Sequence, residues 1–165
     1  MPRTKKTTPK TTTTTSKLGQ LILATIRQVC LPAIFSTWLA GKPVPASRPR
    51  FSKWGGVYYA KTYEQYKTYC FDELLKSPEP EKVFDGPCVV WAEVVAEPPK
   101  TVQREIPKGD VDNYAKGPLD SLTKAQRAYL DDELVVGLWI SKRYPEEGET
   151  PGAHLHVFPL PEDIT

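Results

Sequence analysis

Apolar and polar positions alternate along this chain with two periods, one helical and one extended, separated by proline-rich breaks. Over residues 17–29 the apolar positions recur at helical spacing. Leu18, Leu21, Ile22 and Ile26 share a face, Ser16 stands at the capping position, and Pro32 ends the element. Residues 33–40 read as a first strand. Pro43, Pro45 and Pro49 then mark an irregular basic loop, and Gly55-Gly56 a turn into a short strand at 57–60. Residues 61–76 predict a helix with Tyr63, Tyr66, Cys70 and Leu74 inward. The β-branched run at 88–97 predicts a strand. A proline-bearing connection carrying Lys100, Arg104 and Lys108 leads to a helix from Asp112 to about Gln126. Strands at 134–144 and 154–158 follow, joined by a turn at 145–152. This order predicts an α/β (α+β) fold: a small mixed β-sheet with helices packed on one face, in a single domain.

Composition refines the picture at the ends. Residues 1–17 hold Arg3, Lys5, Lys6, Lys10 and Lys17, no acid, and the threonine run 11–15. Such a segment has nothing to bury and is expected to be disordered. The whole chain carries 22 basic and 20 acidic residues, so beyond that tail it is slightly acidic. Residues 42–76 are locally basic and the acids concentrate later. A basic rim around an acidic centre suits a protein that holds phosphates with one and cations with the other. Residues 18–40 are fairly apolar, but Gln20, Arg27, Gln28 and Pro32 interrupt them, which argues against a membrane span. No signal-peptide pattern follows the basic start. Cys30, Cys70 and Cys88 lack metal-ligand spacing; they read as small core residues of a reduced, cytosolic protein.

The candidate chemistry lies in Gly109-Asp110-Val111-Asp112-Asn113-Tyr114-Ala115-Lys116, with Leu119-Asp120 and then Asp131-Asp132. Asp112, Lys116 and Asp120 are spaced i, i+4, i+8 along one side of a helix, above an apolar stripe of Ala115, Leu119 and Leu122. Asp112 is expected at the N-cap, with Asp110 two residues earlier in extended chain. Carboxylates gathered this closely repel one another unless a cation stands between them. Their hard oxygens suit Mg²⁺, with Mn²⁺ a possible substitute, and a site of that kind handles phosphate. An EF-hand is excluded, because Ala115 stands where that loop needs glycine and Ser121 where it needs glutamate.

At these residues the chain resembles the RusA family of Holliday-junction resolvases, in its phage-type form. The matching positions are Asp110-Val111-Asp112-Asn113, Lys116, Leu119-Asp120-Ser121-Leu122 and Asp131-Asp132, and upstream Gly41-Lys42-Pro43 with Arg48-Pro49-Arg50-Phe51. Ser121 replaces the usual alanine. Gly117-Pro118 falls where the family has helix formers, which predicts a kink there or only one regular turn before Pro118. The resemblance implies a nuclease domain over residues 36–160, preceded by a tail (1–17) and a helical extension (18–35). It implies Mg²⁺ held by Asp110, Asp112 and Asp132, with Lys116 the catalytic lysine and Asn113, Asp120 and Asp131 in supporting positions. It further implies a homodimer resolving four-way DNA junctions by paired nicks in recombination and repair. The setting would be the cytoplasm of a bacterium or phage-infected cell, with no membrane and no nucleotide cofactor. A fork or flap nuclease of the same fold, and a non-catalytic DNA-binding protein, are the alternatives.

Arg48, Arg50, Lys53 and Lys108 are the expected DNA-backbone contacts. Trp54, Tyr58 and Tyr59 are either stacking platforms for bases or core aromatics. His154 and His156 alternate on one strand face at a spacing that would suit Zn²⁺. Without a third ligand nearby they read as surface residues.

Overall fold

The β-branched run Cys88–Val95 becomes the central strand of the sheet, buried on both faces. That position explains its near-continuous hydrophobicity, since a strand covered on both sides has no polar face to offer. The structure, a computed structural model, describes residues 16–101 and 104–161; the tail expected at 1–17 lies almost entirely outside them. In chain order the elements are α1 (Lys17–Val29), β1 (Phe35–Ala40), β2 (Arg50–Phe51), β3 (Val57–Tyr58), α2 (Lys61–Leu75) and β4 (Cys88–Val95). There follow α3 (Val111–Ala125), a single 3₁₀ turn (Asp132–Leu134), β5 (Val135–Arg143) and β6 (Gly152–Pro159). The main sheet has the order β1-β6-β4-β5. Its β4–β5 pair is parallel, with α3 as the crossover, while β6 runs antiparallel to both β4 and β1. The mixed α/β sheet is the one expected from the sequence.

Helices α2 and α3 cover one face. Tyr66, Cys70 and Leu74 of α2 and Tyr114, Ala115 and Leu122 of α3 meet Val90, Ala92 and Val94 of β4 and Leu155 and Val157 of β6. Tyr63, Tyr66, Cys70 and Leu74 are all buried, as the helical period requires. Burial pushes the Cys70 thiol up to about 12 and the Cys88 thiol to about 11, so both sit in the core as protonated apolar groups.

Pro118 does not break α3, which runs from Val111 to Ala125 with the proline inside it. An interior proline costs about 3 kcal/mol. Close packing against α2 offsets that loss. Gly117 lies against the rings of Tyr63 and Tyr66, so near that a Cβ would stand 3.3 Å from the first. The Ser121 hydroxyl lies 2.8 Å from the Gly117 carbonyl and 3.0 Å from that of Lys67, tying the two helices.

The opposite face departs from the expectation of helices on one side only. Here α1 docks through Ile22 and Ile26 onto Trp91 and Phe158. Ser16 caps it, accepting from the Gly19 amide at 3.0 Å. Leu18 and Leu21, expected on the same face as Ile22 and Ile26, are exposed. Helical spacing defines an apolar stripe but not which edge of it meets the sheet.

The histidines are not surface residues either. His154 is buried and His156 half-buried, because β6 is an interior strand whose outer face lies beneath this layer. His154 packs on Trp38 with centroids 4.4 Å apart, and His156 stacks on Trp91 at 4.7 Å. Burial, reinforced by His154, drives His156 down to about 4, and burial also lowers His154.

On the same face Glu93 is fully buried. It accepts from the Ser16 hydroxyl and pairs with Arg143, whose Nε lies 3.2 Å away. Arg143 also grips Glu149 through both terminal nitrogens, and these bonds hold the Glu149 carboxyl low despite its burial.

The basic loop expected after β1 folds into a small hairpin, β2–β3, pairing Arg50 with Tyr58 and Phe51 with Val57. Gly55, at φ +81°, makes the turn. Among the described residues no helix is long and apolar enough to cross a membrane.

Candidate functional site

The path into α3 is pinned carbonyl by carbonyl. Tyr144 Oη donates to Ile106 O at 3.2 Å, Lys142 Nζ to Pro107 O at 2.8 Å, Tyr114 Oη to Lys108 O at 2.9 Å, and Lys142 Nζ again to Gly109 O. Gly109 then turns the chain at φ +99° and α3 begins at Val111. Asp110, not Asp112, therefore occupies the N-cap position, and its side chain makes no capping bond. Asp112 falls in the first turn, where the helix dipole favours a carboxylate.

A cleft of about 450 Å³ opens between α3 and β5. Asp112, Asn113, Lys116 and Asp120 line it from α3, and Asp132 lines it from the 3₁₀ turn. Leu119, Leu138 and Ile140 form an apolar floor. The parallel β4–β5 pairing brings this about, because it returns the chain after α3 to the edge on which the helix lies.

The acids feel one another. Asp132 is raised above the usual carboxylate range, first by hydrogen bonding with Asp131, then through desolvation and the charges of Asp131 and Asp120. Asp131 is held low first by the Glu133 amide, 3.1 Å from its Oδ1, and then by hydrogen bonding with Asp132. Lys67 of α2 is the nearest cation to Asp120, at 3.7 Å. The Lys116 ammonium lies 5.6 Å from the centroid of the Tyr59 ring, and among the described residues it forms no ion pair with Asp112 or Asp120. An i, i+4 pairing would have been its ordinary role.

Of the residues expected at the site, Asp112, Asn113, Lys116, Asp120 and Asp132 thus meet in one cleft. Asp110 is not among its lining residues; its carboxylate accepts from Asn113 Nδ2 at 3.4 Å. Asp131 stands beside the cleft as the cap of the 3₁₀ turn. Arg48, Arg50 and Lys53 are exposed on and before the hairpin. Lys108 lines a second cleft, of about 290 Å³, with Arg104, Tyr114 and Tyr144. Lys67 and the clamp residues Lys142 and Tyr144 escaped the sequence reading, as did the contact of Tyr59 with Lys116, since each reaches its partner from a distant segment.

Comparison with known proteins agrees with this geometry. A family model described as Endodeoxyribonuclease RusA matches residues 40–156, which span every cleft residue. The chain belongs to the RusA family. It is also similar to a Bacillus subtilis (strain 168) protein described as uncharacterized protein YqaN. The two are 32% identical over 127 residues, covering 65% of this chain and 85% of that protein. As a RusA-family member the chain is an endodeoxyribonuclease by kind, of the class that resolves Holliday junctions.

The cleft of this RusA-family chain can be asked whether it suits a divalent ion. Among the described residues no three His, Cys, Asp or Glu side chains form a ready-made cage. Mg²⁺ does not need one: it keeps several waters and is commonly held by one or two carboxylates together with substrate phosphates. Asp112 and Asp120 on α3, facing Asp132 on the 3₁₀ turn, are a donor set of that kind.

Proposed function

We propose that this chain is a Mg²⁺-dependent, structure-selective endodeoxyribonuclease that resolves four-way DNA junctions by paired hydrolytic nicks, in recombination and repair. The nuclease domain would be residues 36–160, with 18–35 an extension seated on its sheet. The supporting observation is that Asp112, Asp120 and Asp132 share one cleft with Lys116, which is bonded to neither of its helix neighbours.

Asp112 and Asp132 would hold the ion, with Asp120 in the same cleft and Asp110, two residues before Asp112, able to join them. When bound, it supplies the Lewis acidity that makes water nucleophilic near neutral pH. Lys116 stabilises charge as it builds on the attacked phosphate. Tyr59 gives its ammonium an aromatic face to lean on rather than a carboxylate that would cancel it. Asn113 steadies Asp110, and Lys67 steadies Asp120. Arg48, Arg50, Lys53 and Lys108 bind backbone phosphates. The products would be a 5′-phosphate and a 3′-hydroxyl. A homodimer would place two such clefts about a two-fold axis, as paired nicks require.

The test is cleavage of a labelled four-way junction, a flap and a matching linear duplex, each in Mg²⁺ and in EDTA. Paired symmetric nicks in the junction alone, lost in EDTA, are expected. Cleavage of the flap in preference to the junction would redirect the reading to another branched DNA. The alternative reading is a DNA-binding protein that does not cut. It requires junction binding without cleavage at any Mg²⁺ concentration.

A further inference from the structure

The β2–β3 hairpin exposes what folding normally hides. Trp54, at the turn, is 96% exposed and Phe51 77% exposed; Val57 and Tyr58 are exposed beside them. Single surface aromatics are ordinary, but four large apolar side chains on one nine-residue hairpin form a patch that calls for a partner. The tip is open: a Cβ placed on Gly55 would meet nothing within 4 Å. Its backbone is nonetheless defined, by Ser52 N to Gly56 O at 2.7 Å and Gly56 N to Ser52 Oγ at 2.9 Å.

Two observations identify the partner. The first is charge. Residues 46–61 carry Arg48, Arg50, Lys53 and Lys61 and not one acid, so the patch sits in a purely cationic frame. A polyanion with flat apolar faces complements both halves of that surface, and nucleic acid has both. The second is connection. The stem is fastened to the catalytic helix by Ala46 N donating to Asn113 O at 2.7 Å, next to Asp112. It is closed by Ala60 N on Ser47 Oγ at 2.9 Å, and Tyr59 at its end carries the Lys116 ammonium over its ring. Whatever the tip holds is therefore held at a fixed offset from the cleft.

We propose that this hairpin reads the branch point. Trp54, with Phe51, stacks on bases that a DNA junction leaves without a stacking neighbour, while Arg48, Arg50 and Lys53 hold the flanking phosphates. In linear duplex every base is already stacked on both faces and the aromatics gain nothing. The cations act equally on both kinds of DNA, so selection for branched DNA comes from the aromatics. This rests on the nuclease reading above and adds to it the element that chooses the substrate.

The test uses the full chain in EDTA, so that binding is seen without cleavage. It is mixed with a four-way junction carrying 2-aminopurine at the branch point, with the same junction labelled in mid-arm, and with a linear duplex. Wild type is expected to quench the branch-point label and not the mid-arm label. Trp54→Ala, a change at a solvent-exposed side chain that leaves the core untouched, should abolish that quenching. It should weaken junction binding by about 5- to 150-fold, the affinity equivalent of stacking one base. Duplex affinity and the salt slope should stay as they were. Trp54→Phe should restore most of the loss. Arg50→Ala and Lys53→Ala should instead weaken both DNAs and flatten the salt slope by about one each. Unchanged junction binding and quenching in Trp54→Ala would overturn the proposal. So would a change in the sedimentation of the protein alone, which would make the hairpin a contact between copies of this chain. If wild type itself fails to prefer the junction, the nuclease reading falls as well. If wild type prefers the junction and Trp54→Ala prefers it equally, only the hairpin assignment falls.

Discussion

The two faces of the sheet treat carboxylates in opposite ways. Beneath α1, Glu93 is fully buried, and Arg143 and Ser16 satisfy it while Arg143 also binds Glu149. Around the cleft, Asp112, Asp120 and Asp132 stand at the surface, with Lys67 at 3.7 Å from one of them and Asp132 raised by its neighbour Asp131. Lys116 is close by in the sequence but leans on Tyr59. A charge meant for structure is neutralised by the protein itself, because an unpaired buried charge is costly. Charges left mutually repelling at a cleft call for a counter-charge from outside, and under the proposed function a divalent cation with a DNA phosphate would supply it.

Substitutions on each face can break or sharpen this contrast. The largest effect is expected at the cleft. Asp112→Asn and Asp132→Asn should each reduce junction cleavage by roughly a thousandfold or more while leaving the melting temperature nearly unchanged, read by single-turnover kinetics and calorimetry. Lys116→Met should reduce cleavage by about a hundred- to a thousandfold, with junction binding little altered, which separates charge stabilisation from substrate binding. On the α1 face the pattern reverses. Arg143→Ala leaves Glu93 buried and unpaired, and should cost about 3–5 kcal/mol, a fall of about 10 °C in melting temperature, with the cleavage rate of the folded protein maintained.

The smallest effect is a pH dependence on that same face. His156 is neutral in the fold, with its pKa depressed from 6.5 to about 4. Its contribution is fully present above pH 6.5 and is lost as the pH falls toward 4, because the unfolded chain binds the proton first. Melting temperature should therefore decline across that window, and His156→Phe should flatten the decline.

The sequence discloses the cleft better than the α1 face, and the reason is distance along the chain. Asp112, Lys116 and Asp120 lie within nine residues, so the helical period alone aligns them. The inward face of α2 and the double burial of β4 follow from local periodicity in the same way. The turn at Gly55-Gly56 and the short strand after it were legible too, but their partner strand Arg50–Phe51 was not, since two residues after a proline carry no period. Nor was the burial of His154 and His156, which depends on β6 lying between β1 and β4, a fact of topology. The side of α1 that docks, the pairing of Glu93 with Arg143 and the grip of Lys142 on the approach to Asp110 all join segments more than thirty residues apart. Pro118 reads as a helix breaker locally, and only the neighbouring Tyr63 and Tyr66 rings explain why the helix continues.

The central claim is that the cleft acids are left unbalanced so that a divalent cation and a DNA phosphate can complete them. The most direct measurement follows single-turnover nicking of a labelled four-way junction by the wild-type chain, starting in EDTA and raising free Mg²⁺ stepwise. No nicking in EDTA, then paired nicks whose rate climbs with Mg²⁺ and saturates, is the expected result. Cleavage undiminished in EDTA, or tight junction binding with no nick at any Mg²⁺ concentration, would contradict it.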